Sequence, residues 1–429
     1  MEFYSTNNKD LKLNIKDAVI KGLSPDRGLF MPEKVPVLPE TFFEKIEDIT
    51  IPEIGFEILK PYFTPAVPEE KLKEIVTEAF NFDIPVKKVE QNISVLELFH
   101  GPTSAFKDVG ARFLARVLAW FVKDLDREVY VLAATSGDTG GAVANGFYGV
   151  DGVKVVVLYP SGMVSDRQEK QFTTLGGNIT ALEVKGTFDD CQKLVKSAFL
   201  DEELNDKLFL TSANSINIAR LLPQMVYYFY AYARLKNEKR NIVISVPSGN
   251  FGNLTAGVLA YRMGLPVKRF VAATNINDVV PGYLQTGRYI PRTSVQTLAN
   301  AMDVGDPSNF VRLTDVFEND HDKMNELISG FVVDDDTIRS TIKEVNDRTG
   351  YVLDPHGACA YTALRSELDN DEYGVFLATA HPAKFPDVVE EQTGETVPVP
   401  AEMQMFMQRE KQSDELAPSL SDLKKYLLK

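Results

Sequence analysis

Cysteine occurs only twice in 429 residues, at Cys191 and Cys359, with one tryptophan and four histidines. Two distant thiols exclude a disulfide framework and a thiolate-rich metal centre, both of which need several closely placed cysteines. Basic residues are outnumbered by acidic ones, 46 to 61, and a formal charge of −15 argues against a broad nucleic-acid or anionic-membrane surface. No apolar run approaches the length of an uncharged membrane span, and the opening Met-Glu-Phe-Tyr-Ser-Thr-Asn-Asn lacks the basic and apolar regions of a secretion signal. A cytoplasmic protein is expected, with neither nucleic acid nor membrane as partner. His100, His356 and His381 are scattered without ligand spacing, so no metal is expected and the three rings are read as loop caps or pocket lining.

What is present is patterned apolar sequence in ordinary proportion, 44% of residues, on a chain longer than a single core usually supports. Residues 1–90 carry amphipathic helical patterns such as Glu69 to Ala79, broken by prolines, and are expected to form a mostly helical N-terminal domain. From there short apolar runs alternate with longer helical patterns: Glu128 to Ala134, Val153 to Tyr159, Ile179 to Val184, Ile242 to Val246, Phe270 to Thr274 and Val375 to Thr379. This alternation predicts an α/β fold with two parallel-sheet regions, 91–235 and 236–429, divided near the polar connection Arg234 to Asn241. Thr187, followed by Asp189 and Asp190, predicts a helix start and a helix running to about Leu200.

Chemistry enters at His100 to Arg112, His-Gly-Pro-Thr-Ser-Ala-Phe-Lys-Asp-Val-Gly-Ala-Arg, where Lys107 stands between a Gly-Pro turn and an apolar helix. Ala105, Phe106, Val109 and Ala111 surround it, and desolvation favours the neutral, nucleophilic amine. A lysine without such company is usually a solvated surface group. Two strands run into glycine-rich, hydroxyl-bearing loops followed by helices: Thr135-Ser136-Gly137-Asp138-Thr139-Gly140-Gly141 and Pro247-Ser248-Gly249-Asn250-Phe251-Gly252-Asn253. Converging N–H groups and a helix N-terminus make each a candidate anion site, although glycine also serves any tight turn. Neither spells a Walker loop or a dinucleotide fingerprint. Thr211 to Arg220 adds amides, hydroxyls and a guanidinium, and Ala378-Thr379-Ala380-His381-Pro382 puts a hydroxyl at a strand's carboxyl end.

Taken in order, His-Gly-Pro-Thr-x-Ala-Phe-Lys-Asp, Thr-Ser-Gly-Asp-Thr-Gly, Leu-Gly-Gly-Asn, Asn-Ser-Ile-Asn-x-x-Arg, Pro-Ser-Gly-Asn-Phe-Gly and Thr-Ala-His-Pro resemble the threonine synthases of bacteria and fungi. The likeness runs from Arg27-Gly28-Leu29-Phe30 to Thr-Ala-His-Pro, nearly the whole chain. It implies a fold-type-II pyridoxal 5'-phosphate enzyme, similar to the tryptophan synthase β subunit. The reaction implied converts O-phospho-L-homoserine and water into L-threonine and phosphate. By resemblance, Lys107 holds the cofactor as a Schiff base and moves protons. Ser248, Gly249, Asn250, Phe251, Gly252 and Asn253 cradle the cofactor phosphate, and Thr379 faces the ring nitrogen; family members usually carry aspartate at the place of Asn253. The loop of Thr135, Ser136, Gly137, Asp138 and Thr139 surrounds the substrate carboxylate, with Asp138 as a brace, and Asn214, Ser215 and Arg220 grip the substrate phosphate. Asp108 either caps its helix or orients the cofactor. The rival readings are a phospholyase releasing 2-oxobutyrate and a catalytically silent relative. The partner expected is the small-molecule substrate, with the chain monomeric or homodimeric.

Overall fold

The computed structural model describes residues 1–125 and 128–429. Alternate residues of its central strands point into different cores, the signature of sheets covered on both faces. In the strand Val129–Ala134, Val129, Val131 and Ala133 enter one core, while Leu132 and Ala134 enter another. In Asn241–Pro247 the same alternation sends Ile242, Ile244 and Val246 one way and Val243 the other. The shared core therefore lies between the two sheets, and each sheet has a second core on its far side.

Two largely parallel sheets carry the fold. A five-stranded sheet runs in the order Asp414–Leu416, Ile179–Val184, Val153–Pro160, Val129–Ala134, Phe209–Ser212, with every pair parallel. A six-stranded sheet runs Ile328–Val332, Arg269–Thr274, Asn241–Pro247, Glu372–Ala378, Ile93–Glu97, Val86–Lys88, and only the last pair is antiparallel. All six strands anticipated from the sequence are present, with bounds shifted by a few residues at most. The helix signalled by Thr187 spans Phe188–Leu200, and Thr187 and Asp190 form a reciprocal capping box.

Three strands cross the contiguous divisions at residues 90 and 235, one of them Val86–Lys88, which leaves the first 90 residues to form the edge of the six-stranded sheet. Ile93–Glu97 joins Gly374–Ala378 in the six-stranded sheet, and Asp414–Leu416 returns to pair with Leu182–Val184 in the five-stranded one. Periodicity identifies a strand but carries no information about which sheet will accept it. The Ile93–Glu97 run is also disguised by its glutamate. Glu97 is only 2% exposed and is accommodated by His100, Lys87 and Tyr351 at 2.7, 3.0 and 3.0 Å. Before Val86–Lys88, the first 90 residues supply the helices Ile15–Lys21, Glu40–Lys45, Ile51–Phe63 and Glu69–Ala79. They also form a three-stranded antiparallel sheet, Glu2–Ser5 between Lys12–Asn14 and Phe30–Pro32, which the helical reading of this segment did not contain. Strands of three or four residues are too short to show a period.

The C-terminal helix Leu420–Leu427 lays Leu423 and Leu427 on the outer core of the five-stranded sheet, beside Leu416. Leu423 is wholly buried, so Leu423→Ala is expected to cost about 2–5 kcal/mol, seen as a lower urea midpoint at unchanged slope.

Candidate active site

The loops after Ile93–Glu97, Val129–Ala134 and Glu372–Ala378 meet through Thr103, Asp138 and Lys384, and Asn309 links the loop after Asn241–Pro247 to the one after Phe209–Ser212, at the ends where open parallel sheets collect ligands. Lys107 is the first residue of the helix Lys107–Val122, where the dipole disfavours its ammonium. The preceding turn is fixed by Asp108, whose carboxylate accepts the Thr103 N–H at 2.8 Å and its hydroxyl at 2.7 Å. Asp108 is thus occupied as a brace for the turn. The Phe106 N–H donates to the Thr379 carbonyl at 2.8 Å, Ala105 bridges to Ala380, and the His381 N–H donates to the Ser104 carbonyl at 3.1 Å. Two loops distant in sequence are thereby stitched together, putting Thr379 beside Lys107.

Lys384 is the residue that sequence reading missed. Wholly buried just after His381 and Pro382, it sets its Nζ 2.5 Å from the Asp138 carboxylate and donates to the Thr103 carbonyl at 3.0 Å. Asp138 also accepts from Gln168 Nε2 at 2.9 Å. Burial alone would raise the Asp138 carboxyl, but the Lys384 and Lys107 charges outweigh it and hold it well below the usual range. For Lys107 the balance runs the other way. Desolvation pushes its amine down, Asp138 opposes, and the nearby Lys384 and Arg220 charges push it down further. The signal that could have found Lys384 is a lysine two residues after the Thr-Ala-His-Pro run, close to a strand's carboxyl end.

Around this amine lie three sets of donors. In the Ser248 loop, the backbone N–H groups of Gly249 through Asn253 have no acceptor among the described residues, and they precede or open the helix Gly252–Arg262. A Cβ at Gly249 would stand 2.7 Å from the Met302 Cα, so only glycine permits this close approach. In the Thr135 loop, Gly137 adopts φ 141°, and a side chain there would collide with Gln168. The Ser136, Asp138 and Thr139 amides of this loop are also without acceptors among the described residues, and the Ser136 and Thr139 side chains are half-exposed. In the third set, the Arg220 Nε donor is buried without a hydrogen-bond partner, an arrangement that is costly unless something else binds there; the orphaned atom of Asn214 is Oδ1, an acceptor, and its Nδ2 donates to the Ala134 carbonyl at 3.5 Å. Burial lowers the Arg220 guanidinium to about 10 against the opposing charge of Asp108.

Four side chains, those of Thr135, Ser248, Asn253 and Phe251, turn away from the space these loops share. Thr135 Oγ1 accepts the Gly137 and Gly140 N–H groups at 2.9 and 2.8 Å and donates to the Gly137 carbonyl, so it shapes its loop from within. Asn253 Oδ1 accepts from the Ser248 hydroxyl at 3.1 Å and from the Leu254 N–H at 3.0 Å, and its Nδ2 donates to the Pro247 carbonyl at 2.8 Å. Phe251, at φ 60°, sinks its ring into the shared core and is 2% exposed. From Asn253 and Phe251 only the backbone N–H groups remain available to a ligand. The three histidines are likewise engaged: His100 with Glu97, His356 with Asp354 at 2.6 Å, and His381 as acceptor of the Ala383 N–H.

Known proteins resemble this chain along its whole length. Residues 74–379 match the family described as pyridoxal-phosphate dependent enzyme, which defines the class of protein. Residues 2–80 match the threonine synthase N terminus and 357–427 the threonine synthase C-terminal region. Threonine synthase of Haemophilus influenzae is 47% identical over 430 residues, covering all of both chains, and that of Escherichia coli is 49% identical over 405 residues, 94% of each. The crystal structure of the Escherichia coli threonine synthase superposes with a TM-score of 0.94 at 47% identity, covering 100% of this chain and 99% of that one. The yeast structure gives 0.91 at 30% identity, covering 100% and 98%. The chain belongs to the threonine synthase family, lyases that use pyridoxal phosphate as cofactor. Maize serine racemase, 17% identical with a TM-score of 0.54, shares the fold alone.

The residues present fit that cofactor. A desolvated lysine amine, a cradle of unpaired N–H groups closed at Gly249, and a threonine at a strand's end match its aldehyde, phosphate and ring nitrogen in chemical type.

Removing Lys384 would strand the Asp138 charge in the interior. Lys384→Met is expected to destabilise the protein by about 3–5 kcal/mol, and Lys384→Met/Asp138→Asn to recover much of the loss, as read by urea unfolding. The Asp138 contribution is complete above its unfolded-state value, about 4, and disappears as pH falls through the depressed folded value. The acid limb of the stability profile should therefore be shallower in the double variant; an unchanged limb would remove the assignment.

Proposed function

We propose that the chain converts O-phospho-L-homoserine and water into L-threonine and phosphate, with Lys107 as cofactor anchor and proton carrier. The observation that carries this reading is one desolvated amine beside two sets of unpaired donors, because this substrate presents two anionic ends, a carboxylate and a γ-phosphate. The Ser136 to Thr139 amides and hydroxyls receive the carboxylate, and Asn214, Ser215 and Arg220 receive the phosphate. The N–H groups of Gly249 to Asn253 hold the cofactor phosphate, with Ser248 shaping the loop because its hydroxyl is given to Asn253 Oδ1 and its N–H to the Ala273 carbonyl, and Thr379 meets the ring nitrogen. A hydroxyl there does not enforce a protonated ring, as a carboxylate would. Thr135, Asp138 and the Asn253 side chain serve by shaping the loops.

When bound, pyridoxal phosphate supplies an electron sink for charge developing on the substrate carbons. The protein's own share is acid–base work and exclusion of water. With its ammonium disfavoured by burial and by the charges of Lys384 and Arg220, Lys107 Nζ is suited to take the α proton and then a β proton, and to return one at the γ carbon. Arg220 and Ser215 stabilise the phosphate as the Cγ–O bond breaks. A hydroxyl from water is then added at the β carbon, the other water proton leaves with the released phosphate, and Lys107 returns its second proton at the α carbon. Water admitted earlier would divert the reaction to 2-oxobutyrate, so closure over the site matters. No helix among the described residues is long and apolar enough to cross a membrane, and Cys191 and Cys359 are buried free thiols, in keeping with action in the cytoplasm.

Incubation of the purified protein with O-phosphohomoserine is expected to release threonine and phosphate in equal amounts. 2-Oxobutyrate as the main product would support a phospholyase instead. Lys107→Ala is expected to abolish turnover and the visible absorbance of the lysine-bound cofactor. Arg220→Ala is expected to raise KM by about tenfold or more while cofactor content is kept.

A further inference from the structure

Arg312 belongs to none of the anion loops, yet it is wholly buried and every N–H of its guanidinium is used. Nε and Nη2 donate to the Phe30 carbonyl at 3.2 and 3.0 Å, and Nη2 also donates to the Ile216 carbonyl at 2.7 Å. Nη1 donates to the Ser215 carbonyl at 3.1 Å and to Asn309 Oδ1 at 2.9 Å. All these acceptors are neutral, and no carboxylate pairs with Arg312 among the described residues. Burial alone pushes this guanidinium down to about 9, which still leaves it charged near neutral pH. Phe30 closes the Arg27-Gly28-Leu29-Phe30 stretch, which has no place among the reacting groups.

Asn309 transmits this constraint. An arginine has only donors, so the oxygen of the Asn309 amide must face Arg312 and its nitrogen must face away. That nitrogen, Nδ2, donates to Ser215 Oγ at 3.3 Å, while the Asn309 backbone N–H donates to the Asn250 carbonyl at 3.2 Å. Asn250 Oδ1 in turn accepts the Ser308 N–H at 3.1 Å. Asn309 therefore stands between the Ser248 loop and the Asn214–Ser215 loop. With one lone pair of Ser215 Oγ occupied by a donor, and with no other protein partner for this hydroxyl among the described residues, its hydrogen is free to be given outward.

We propose that Arg312, acting through Asn309, is a positioning residue that makes Ser215 a hydrogen-bond donor to the substrate phosphate and supports that anion with an unneutralised buried charge. This rests on the phosphorylated-substrate reading above. A lysine could not replace Arg312, because three donors on a point charge cannot hold four oxygens in one plane.

The decisive variant is Asn309→Asp, equal in shape but acceptor-only. It still receives Arg312, neutralises its charge, and turns the Ser215 hydrogen inward. The KM for O-phosphohomoserine and the inhibition constant of inorganic phosphate are expected to rise by about tenfold or more. Cofactor content, Tm and the spectral titration with L-threonine, which lacks a phosphate, should stay close to those of the parent protein. Asn309→Ala, which deletes the relay without adding a charge, should shift the phosphate constants in the same direction by less. In the Ser215→Ala background, Asn309→Ala should add little. Unchanged phosphate inhibition in both Asn309 variants, or equal weakening of phosphate and threonine, would overturn the relay. A parent protein that neither turns over O-phosphohomoserine nor is inhibited by phosphate would instead overturn the substrate reading beneath it.

Discussion

Lys384 and Asp138 meet in the interior from opposite sheets, and the geometry around Lys107 hangs on that contact. Lys384 follows the strand Glu372–Ala378 of the six-stranded sheet, and Asp138 opens the helix Asp138–Phe147 beyond the strand Val129–Ala134 of the five-stranded sheet. A buried ion pair is seldom a net source of stability, since desolvation of both groups offsets their attraction. Its value here is positional. By also donating to the Thr103 carbonyl, Lys384 ties the pair to the turn that Asp108 braces, so two sheets and the Lys107 turn share one electrostatic knot. The same knot sets the local field, since the Lys384 charge disfavours an ammonium at Lys107 while Asp138 opposes it.

Around this knot the protein concentrates positive potential inside an acidic molecule. The net charge of −15 is spread over the chain, whereas the groups facing the shared loops are unpaired backbone N–H groups and the buried guanidinium of Arg220, with that of Arg312 behind them. In a water-poor interior such groups act on an anion far more strongly than surface carboxylates do across solvent. Net charge therefore speaks for the outer surface and is silent about the site.

The legibility of the site divides by residue. Lys107, the Ser248 loop and the Ser136–Thr139 loop could be read because strand, glycine-rich turn and helix follow one another in a short window. Gln168, Asn309 and Arg312 could not, for each is defined by a partner far away in the chain, Asp138, Ser215 and Phe30, and for Lys384 the Thr-Ala-His-Pro run marks the position while its partners Asp138 and Thr103 are set only by packing. Within the legible loops, residue type indicated the chemistry but not the direction of the side chain. Thr135 and Asn253 have the groups a ligand would use and spend them inward, while the neighbouring Ser136 and Thr139 remain half-exposed.

The fold divides in the same way. Short apolar runs, recurring between helical patterns, determined that strands such as Val129–Ala134 and Asn241–Pro247 exist and belong to parallel sheets, and the residues that follow them spell glycine-rich loops. Local capping chemistry likewise determined the helix after Thr187. Only the tertiary structure decided that Ile93–Glu97 lies beside Gly374–Ala378, that Asp414–Leu416 returns to the other sheet, and that Glu97 can be buried with its charge. Periodicity and capping arise from interactions within a few residues, which a sequence displays directly. Sheet membership and buried charge depend on which distant groups are available to pair, and that is established only when the whole chain has packed.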